Sequence, residues 1–164
     1  MRRTRSADNI TAAELAAAFH EAGHAVAAVL LGGRVHKAVL GERPRTEYDD
    51  LPDSVSARTT YAGPWAEARW LRGRSPGPGD MQRVLPTTSL DWQALVAAGG
   101  PAAGLAVIPL LERCWPAVER VAAELLVKGQ VGHDEICTAL GVTDDGGPGS
   151  LELANIRAGL RAVS

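Results

Sequence analysis

The feature that most constrains the fold is a long proline-free stretch that begins at Thr11 and runs to Leu31. Thr11 and Glu14 have the spacing of a capping box, in which each side chain bonds the backbone amide of the other residue. The residues that follow are rich in alanine and leucine, both strong helix formers, and Gly32-Gly33 supplies a stop. The stretch therefore predicts a helix from about residue 12 to residue 31.

Composition favours helices for the rest of the chain as well. Hydrophobic residues make up 46% of the 164-residue chain and charged residues 22%, which is ordinary for a folded globular domain. The chain has four Trp, two Tyr and one Phe, so alanine, leucine and valine must fill the core. Such small aliphatic side chains favour closely packed helices over a sheet. We therefore predict a compact, mainly α domain with one small β element after the first helix.

Local patterns place the remaining elements. We expect a strand at 34–40 with a partner at 46–48, and helices at 64–72, 80–85, 90–98, 105–112, 116–128 and 134–140. Pro64 suits the first position of its helix, and the glycine- and proline-rich residues 73–79 suit a loop. The predicted divisions are a flexible N-terminus over 1–10, a domain over 11–142, a linker over 143–150 and an amphipathic helix over 151–164.

Charge and hydropathy argue against several classes of function. The formal net charge of -2 gives no general attraction for nucleic acid or for an anionic membrane. The most apolar stretches, 25–31 and 102–111, are much shorter than the roughly 20 residues that a membrane-spanning helix needs. No secretory signal is recognisable, and Cys114 and Cys137 are too few for a disulfide framework. We expect no nucleic-acid or membrane partner and a cytoplasmic location.

The predicted first helix carries a motif for metal chemistry at its middle. His20-Glu21-Ala22-Gly23-His24 fits the H-E-x-x-H pattern. Residues four apart share one side of a helix, so both imidazoles can bind one metal ion, while Glu21 can act as general base on a zinc-bound water. A glutamate in an apolar helix is costly without a charged partner. Gly23 weakens the helix by about 1 kcal/mol relative to alanine, which indicates that another backbone packs closely there.

A catalytic zinc ion needs a third protein ligand and an open fourth position. His36 is expected on a strand and His133 beside the closing helix, so neither is favoured as that ligand. Acidic side chains are the better candidates, and spacing alone does not choose among them. These candidates are Glu67, Asp80, Asp49, Asp50 and Asp91.

The chain resembles the peptidase domain of the FtsH-type ATP-dependent zinc metalloproteases. The resemblance spans roughly residues 11–141 and consists of separate segments in the family's order. The first motif is shared by many metallopeptidases, whereas the ordered set is far more specific. The segments are His20–Ala25, Val35–Val39, Tyr61–Glu67, Gly79–Arg83 and 123–140.

The resemblance implies a mostly helical peptidase domain with Zn²⁺ as its cofactor. It implies His20, His24 and Asp80 as zinc ligands and Glu21 as the catalytic base, with Glu67 the runner-up for the third ligand. It also implies cleavage of polypeptides with little sequence preference.

The chain departs from that family in three respects. It has no Gly-x-x-x-x-Gly-Lys-Ser/Thr phosphate loop and no membrane helix. Pro64 stands where the family has arginine, and Ala68 where it has a second glutamate, which weakens the outer support for a metal. The segment between His24 and Asp80 is shorter than in the family and lacks much of the edge strand that aligns an extended substrate.

Two functions of different classes follow from these observations. The first is a zinc metalloendopeptidase that hydrolyses unfolded proteins or peptides, with Glu21 activating the water. The second is a zinc-binding interaction or regulatory module, derived from a peptidase, with little or no proteolytic activity. The tail helix could dock a separate ATPase, form a homo-oligomer or simply cover the core, and these alternatives stay open.

Overall fold

The computed structural model describes residues 9–49 and 51–164. Residues 1–8, which form most of the predicted N-terminal segment, and Asp50, one of the acidic candidates, lie outside the described residues. The described chain is mainly helical and carries a small three-stranded sheet. The prediction of a mainly α fold is confirmed.

Most elements lie close to their predicted positions. Strand β3 was not predicted because two residues are too few to form a pattern. In chain order the elements are helix α1 Ala12–Leu30, strands β1 Arg34–Val39 and β2 Arg45–Asp49, helices α2 Asp53–Arg72, α3 Pro78–Val84 and α4 Leu90–Ala97, a 3₁₀ helix Pro101–Val107, helices α5 Ile108–Arg113 and α6 Trp115–Lys128, strand β3 Gln130–Val131, and helices α7 His133–Leu140 and α8 Leu151–Arg157.

Helix α1 forms the centre of the fold. Its start has the predicted capping box, in which the Thr11 amide donates to Glu14 Oε2 at 3.0 Å and the Glu14 amide donates to Thr11 Oγ1 at 3.2 Å. From Ala18 onward most of its side chains are buried, because α2, α6 and the sheet all pack against it. The helix that carries the H-E-x-x-H motif is therefore held on several sides.

Helices α1 and α2 approach closely at Gly23. A Cβ atom added there would lie 2.4 Å from the Ala62 carbonyl oxygen and 2.7 Å from the Ala66 Cβ. The close backbone contact that the sequence indicated at Gly23 is confirmed. Such a contact fixes the position of α2 relative to the motif helix.

We expect Gly23→Ala to lower the free energy of unfolding by about 1–3 kcal/mol, because the added methyl group must displace the α2 backbone. Urea unfolding of the metal-free protein measures this. Gly79→Ala is the matched control: Gly79 lies in α3, and no atom of the described part of the chain is within 4 Å of an added Cβ, so stability should rise by up to about 1 kcal/mol. A Gly23→Ala protein as stable as wild type would disprove the close approach.

Helix α2 is longer than predicted, because it begins at Asp53 and contains Pro64 in its interior. The prediction that Pro64 starts the helix is wrong. A proline inside a helix removes one backbone hydrogen bond and costs about 3 kcal/mol. Buried residues on both sides of Pro64, including Tyr61 and Trp65, pack into the core. The burial of these residues outweighs the local cost of the proline. The sequence pattern of α2 alone does not show this, because the burial depends on contacts with other elements.

The C-terminal residues belong to the same core as α1. Leu153 and Ile156 of α8 are buried with it, whereas Leu160 is 80% exposed. Helix α8 ends earlier than predicted because Gly159 adopts a positive φ of 75°. In the preceding segment 143–150, the Ser150 hydroxyl donates to Asp144 Oδ1 at 2.7 Å. The tail helix thus covers the core.

Within the described ranges, no single helix has both the length and the hydropathy needed to cross a bilayer. Helix α4 and the segment Pro101–Arg113 would meet the requirement only jointly, with a bend of 98° between them.

Candidate metal centre

His20 and His24 lie one turn apart on α1 and direct their rings to the same point. The two Nε2 atoms are 3.1 Å apart, and the ring planes are inclined at 75°. His24 is buried, and His20 is partly buried. The geometry therefore brings together the two imidazoles that the helical spacing predicted.

Asp91 supplies a third donor from the first turn of α4. Its Oδ2 atom lies 3.0 Å from His20 Nε2 and 3.4 Å from His24 Nε2. Helix α4 is fixed at this end by Ser89, whose hydroxyl accepts a hydrogen bond from the Trp92 amide at 3.1 Å. Among the described residues, His20, His24 and Asp91 form the group of His, Cys and acidic side chains whose donor atoms could share one metal ion.

The separations between these three atoms fit a zinc site. They are 3.1, 3.0 and 3.4 Å. Zinc bonds to nitrogen and oxygen of about 2.0–2.1 Å in a tetrahedral arrangement place the ligand atoms about 3.3–3.4 Å apart. Two imidazoles and one carboxylate are also a donor set that catalytic zinc sites use.

The outer nitrogen of each histidine is held by an oxygen acceptor. His24 Nδ1 donates to the Thr59 carbonyl oxygen at 2.8 Å, and His20 Nδ1 donates to Glu67 Oε2 at 2.8 Å. Because each Nδ1 carries a proton in these bonds, each neutral ring presents a lone pair at Nε2. With both rings neutral, two nitrogen lone pairs and the Asp91 carboxylate would face a metal ion placed between them.

The electrostatics of the cluster favour positive charge at the same point. Burial lowers the pKa of His20, but hydrogen bonds with the Asp91 and Glu67 carboxylates raise it more, to about 10. Burial raises the pKa of Asp91, but hydrogen bonds with His20 and His24 hold it well below its usual range. Both shifts favour positive charge beside the Asp91 carboxylate.

The backbone of α2 packs directly against the His24 ring. A Cβ atom added at Gly63 would lie 2.3 Å from His24 Nε2. A larger residue at this position would push the ring out of its place. Glycine at position 63 therefore lets α2 approach closely enough for the Thr59 carbonyl to orient His24.

Glu21 lies beside the three donors but is not one of them. Its side chain is 5% exposed in spite of its charge, and its Oε2 atom accepts a hydrogen bond from Thr46 Oγ1 at 2.7 Å. It shares a pocket of about 430 Å³ with His20, His24 and Asp91. Glu21 therefore lies in the same pocket as the three donors but outside their group.

Asp80, the third ligand that the family resemblance implied, lies elsewhere in the structure. Its Oδ2 atom accepts a hydrogen bond from the Gly77 amide at 3.0 Å and lies 3.7 Å from Arg72 Nε. Asp80 thus caps the start of α3. In this structure α4 rather than α3 brings an acidic side chain to the two histidines. Asp91 was an acidic candidate, but spacing gave it no preference.

Glu67, the runner-up, bonds the outer nitrogen of His20 and lies outside the group of three donor atoms. The other candidates that the structure describes also lie apart from the group. Asp49 is exposed and pairs with His36, which is exposed too. His133 is buried and bonds the Asp145 carbonyl oxygen at 2.8 Å.

We expect Glu67→Ala to weaken zinc binding by about 10–100-fold, because the His20 ring loses the bond that fixes its tautomer and orientation. Glu67→Gln, which keeps an acceptor oxygen, should fall between this variant and wild type. Competition with a fluorescent zinc chelator measures the affinity. Glu119→Gln, at an exposed position of α6, is the control. Equal affinity for wild type and Glu67→Ala would remove Glu67 from the site.

Comparison with protein-family models, curated proteins and solved structures gives no match. The likeness to FtsH-type peptidases therefore consists of the sequence segments described above.

Proposed function

We propose that this protein is a zinc metallopeptidase that hydrolyses peptide bonds of unfolded proteins or peptides. The observation that carries the proposal is the convergence of His20 Nε2, His24 Nε2 and Asp91 Oδ2, whose separations are 3.0–3.4 Å, beside the buried Glu21 carboxylate. Helix α1 carries the two histidines and Glu21, and all four residues line one pocket.

His20, His24 and Asp91 would hold the zinc ion. A bound zinc ion lowers the pKa of a water molecule and polarises a carbonyl group, which is the chemistry needed for amide hydrolysis. Within residues 9–49 and 51–164 the candidate group contains three protein donors. Three ligands leave the open position of a catalytic site, whereas a purely structural site would have four.

Glu21 moves the protons in the proposed reaction. Its carboxylate accepts a proton from the attacking water while the water oxygen bonds to the substrate carbonyl carbon, and the carbonyl π electrons move onto its oxygen. Glu21 then delivers that proton to the amide nitrogen as the carbon–nitrogen bond breaks. The products are a carboxylic acid and an amine, so one water molecule is consumed.

The surroundings of the pocket favour an extended polypeptide as substrate. The pocket lies between α1, the edge strand β2 and the first turn of α4. An unfolded segment can enter such a space, whereas the same peptide bond in a folded domain cannot. This supports unfolded proteins or peptides as the substrate class.

The proposal is tested with the purified full-length chain loaded with zinc and incubated with unfolded casein. We expect cleavage that a zinc chelator stops and that added zinc restores. Fragments appear on a gel, and mass spectrometry identifies the cut sites. Casein that stays intact in the presence of bound zinc would contradict the peptidase proposal.

The second candidate is a zinc-binding interaction or regulatory module. The observation that favours it is the small size of the sheet beside the pocket, where β2 has five residues and little edge is offered to a substrate. The casein experiment separates the two functions, because a module binds zinc without chelator-sensitive cleavage.

A further inference from the structure

Strand β2 directs two side chains toward the metal pocket. Thr46 pairs with the buried Ala38 and Tyr48 pairs with the buried Val35 in the β1–β2 register. Side chains alternate along a strand, so Glu47 points away from this face, where it meets Arg45 at 2.7 Å. The inner face of β2 therefore carries Thr46 and Tyr48.

Tyr48 lines the same pocket as His20, Glu21 and Asp91. Its ring packs against the hydrophobic core, so its apolar part is anchored. Burial and the nearby Asp91 carboxylate raise the pKa of the phenol, and they outweigh a hydrogen bond with the Thr60 side chain. The phenol therefore stays protonated at neutral pH and can donate a hydrogen bond.

The other hydroxyl groups of this pocket already donate elsewhere. Thr46 donates to Glu21 Oε2 at 2.7 Å, Thr60 to the Ser56 carbonyl oxygen at 3.0 Å, and Ser89 to the Pro86 carbonyl oxygen at 2.8 Å. Each hydroxyl has one hydrogen to give. Among the hydroxyls of residues 9–49 and 51–164 that line the pocket, Tyr48 is the donor whose hydrogen is not taken by a carbonyl or a carboxylate.

We propose that Tyr48 is a further catalytic residue, whose phenol donates a hydrogen bond to the substrate carbonyl oxygen as it becomes negatively charged. This inference rests on the proposed peptidase function. The phenol keeps its hydrogen while it donates to that oxygen, so no proton is transferred. A donor aimed at the developing charge stabilises the transition state more than the bound substrate.

The test is Tyr48→Phe, which keeps the packed ring and removes the hydroxyl. The substrate is a fluorogenic peptide that spans a cut site found in casein. We expect kcat to fall about 100-fold, as for loss of one oxyanion donor, with KM and bound zinc unchanged. Tyr61→Phe is the matched control, because Tyr61 is buried and lines a different pocket. Its kcat should equal that of wild type.

A phosphinic peptide, which imitates the tetrahedral species, gives a second measurement. It should bind Tyr48→Phe more weakly by about the same factor as kcat falls, whereas the cleaved product peptide binds both proteins equally. If the wild-type enzyme is active and Tyr48→Phe has the same kcat, or differs only in KM, the role of Tyr48 is overturned and the proposed peptidase function stands. An inactive wild-type enzyme overturns the proposed function and this inference together.

Discussion

Replacing Glu21 by glutamine is expected to abolish casein cleavage while the protein keeps its fold and its zinc. Loss of a general base typically lowers a rate by about 10²–10⁴-fold. Glutamine has nearly the same volume and still accepts the hydrogen bond from Thr46, so the pocket keeps its shape. The amide cannot take the proton from the attacking water, and therefore the chemical step fails.

Cleavage rate, zinc stoichiometry and circular dichroism are measured on the same preparation. Glu42→Gln is the matched control, because Glu42 is exposed and lies outside the metal pocket; its activity should equal that of wild type. Unchanged cleavage by Glu21→Gln would exclude Glu21 as the base. Loss of zinc from that variant would instead place Glu21 among the ligands.

The second large effect is expected from Asp91→Ala, which should lower zinc affinity by more than about 100-fold. Loss of an outer partner alone costs 10–100-fold in typical sites, and a direct ligand contributes more. The two histidines would also lose the carboxylate that balances the charge of a dication. Chelator competition measures the affinity, and metal analysis after gel filtration measures the stoichiometry.

Asp80→Ala is the matched comparison for Asp91→Ala. It removes an acid that bonds the Gly77 amide at the start of α3, so we expect a loss of about 1 kcal/mol in stability and no change in zinc affinity. The reverse outcome, with zinc lost from Asp80→Ala and retained by Asp91→Ala, would restore the ligand set that the family resemblance implied. The pair therefore discriminates the two assignments directly.

Local rules were sufficient for the motif helix. The capping box of Thr11 and Glu14 fixes where α1 begins, and the four-residue spacing of His20 and His24 fixes their common face. The packing role of Gly23 could also be inferred, because a glycine inside a strong helix needs a reason. Each of these inferences uses residues a few positions apart, where backbone geometry leaves little freedom.

The third donor could not be found in the same way. Asp91 is 71 positions from His20, and its place depends on how α4 docks against α1 and α2. Asp80 also stands in the first turn of a short helix, but its hydrogen bond with the Gly77 amide holds it at α3. The interior position of Pro64 was missed for a similar reason, since packing on both sides of it decides the helix and no local pattern records that packing.

The two histidines are oriented by partners of different kinds, and this difference affects how the site tolerates change. His24 is held by the Thr59 main-chain oxygen, which every amino acid possesses, whereas His20 is held by the Glu67 side chain. A substitution at position 59 can change the side-chain volume without removing the main-chain oxygen that accepts the bond from His24. A single substitution at position 67 can remove the acceptor of the His20 bond. Over evolutionary time the orientation of His20 is therefore lost more easily than that of His24.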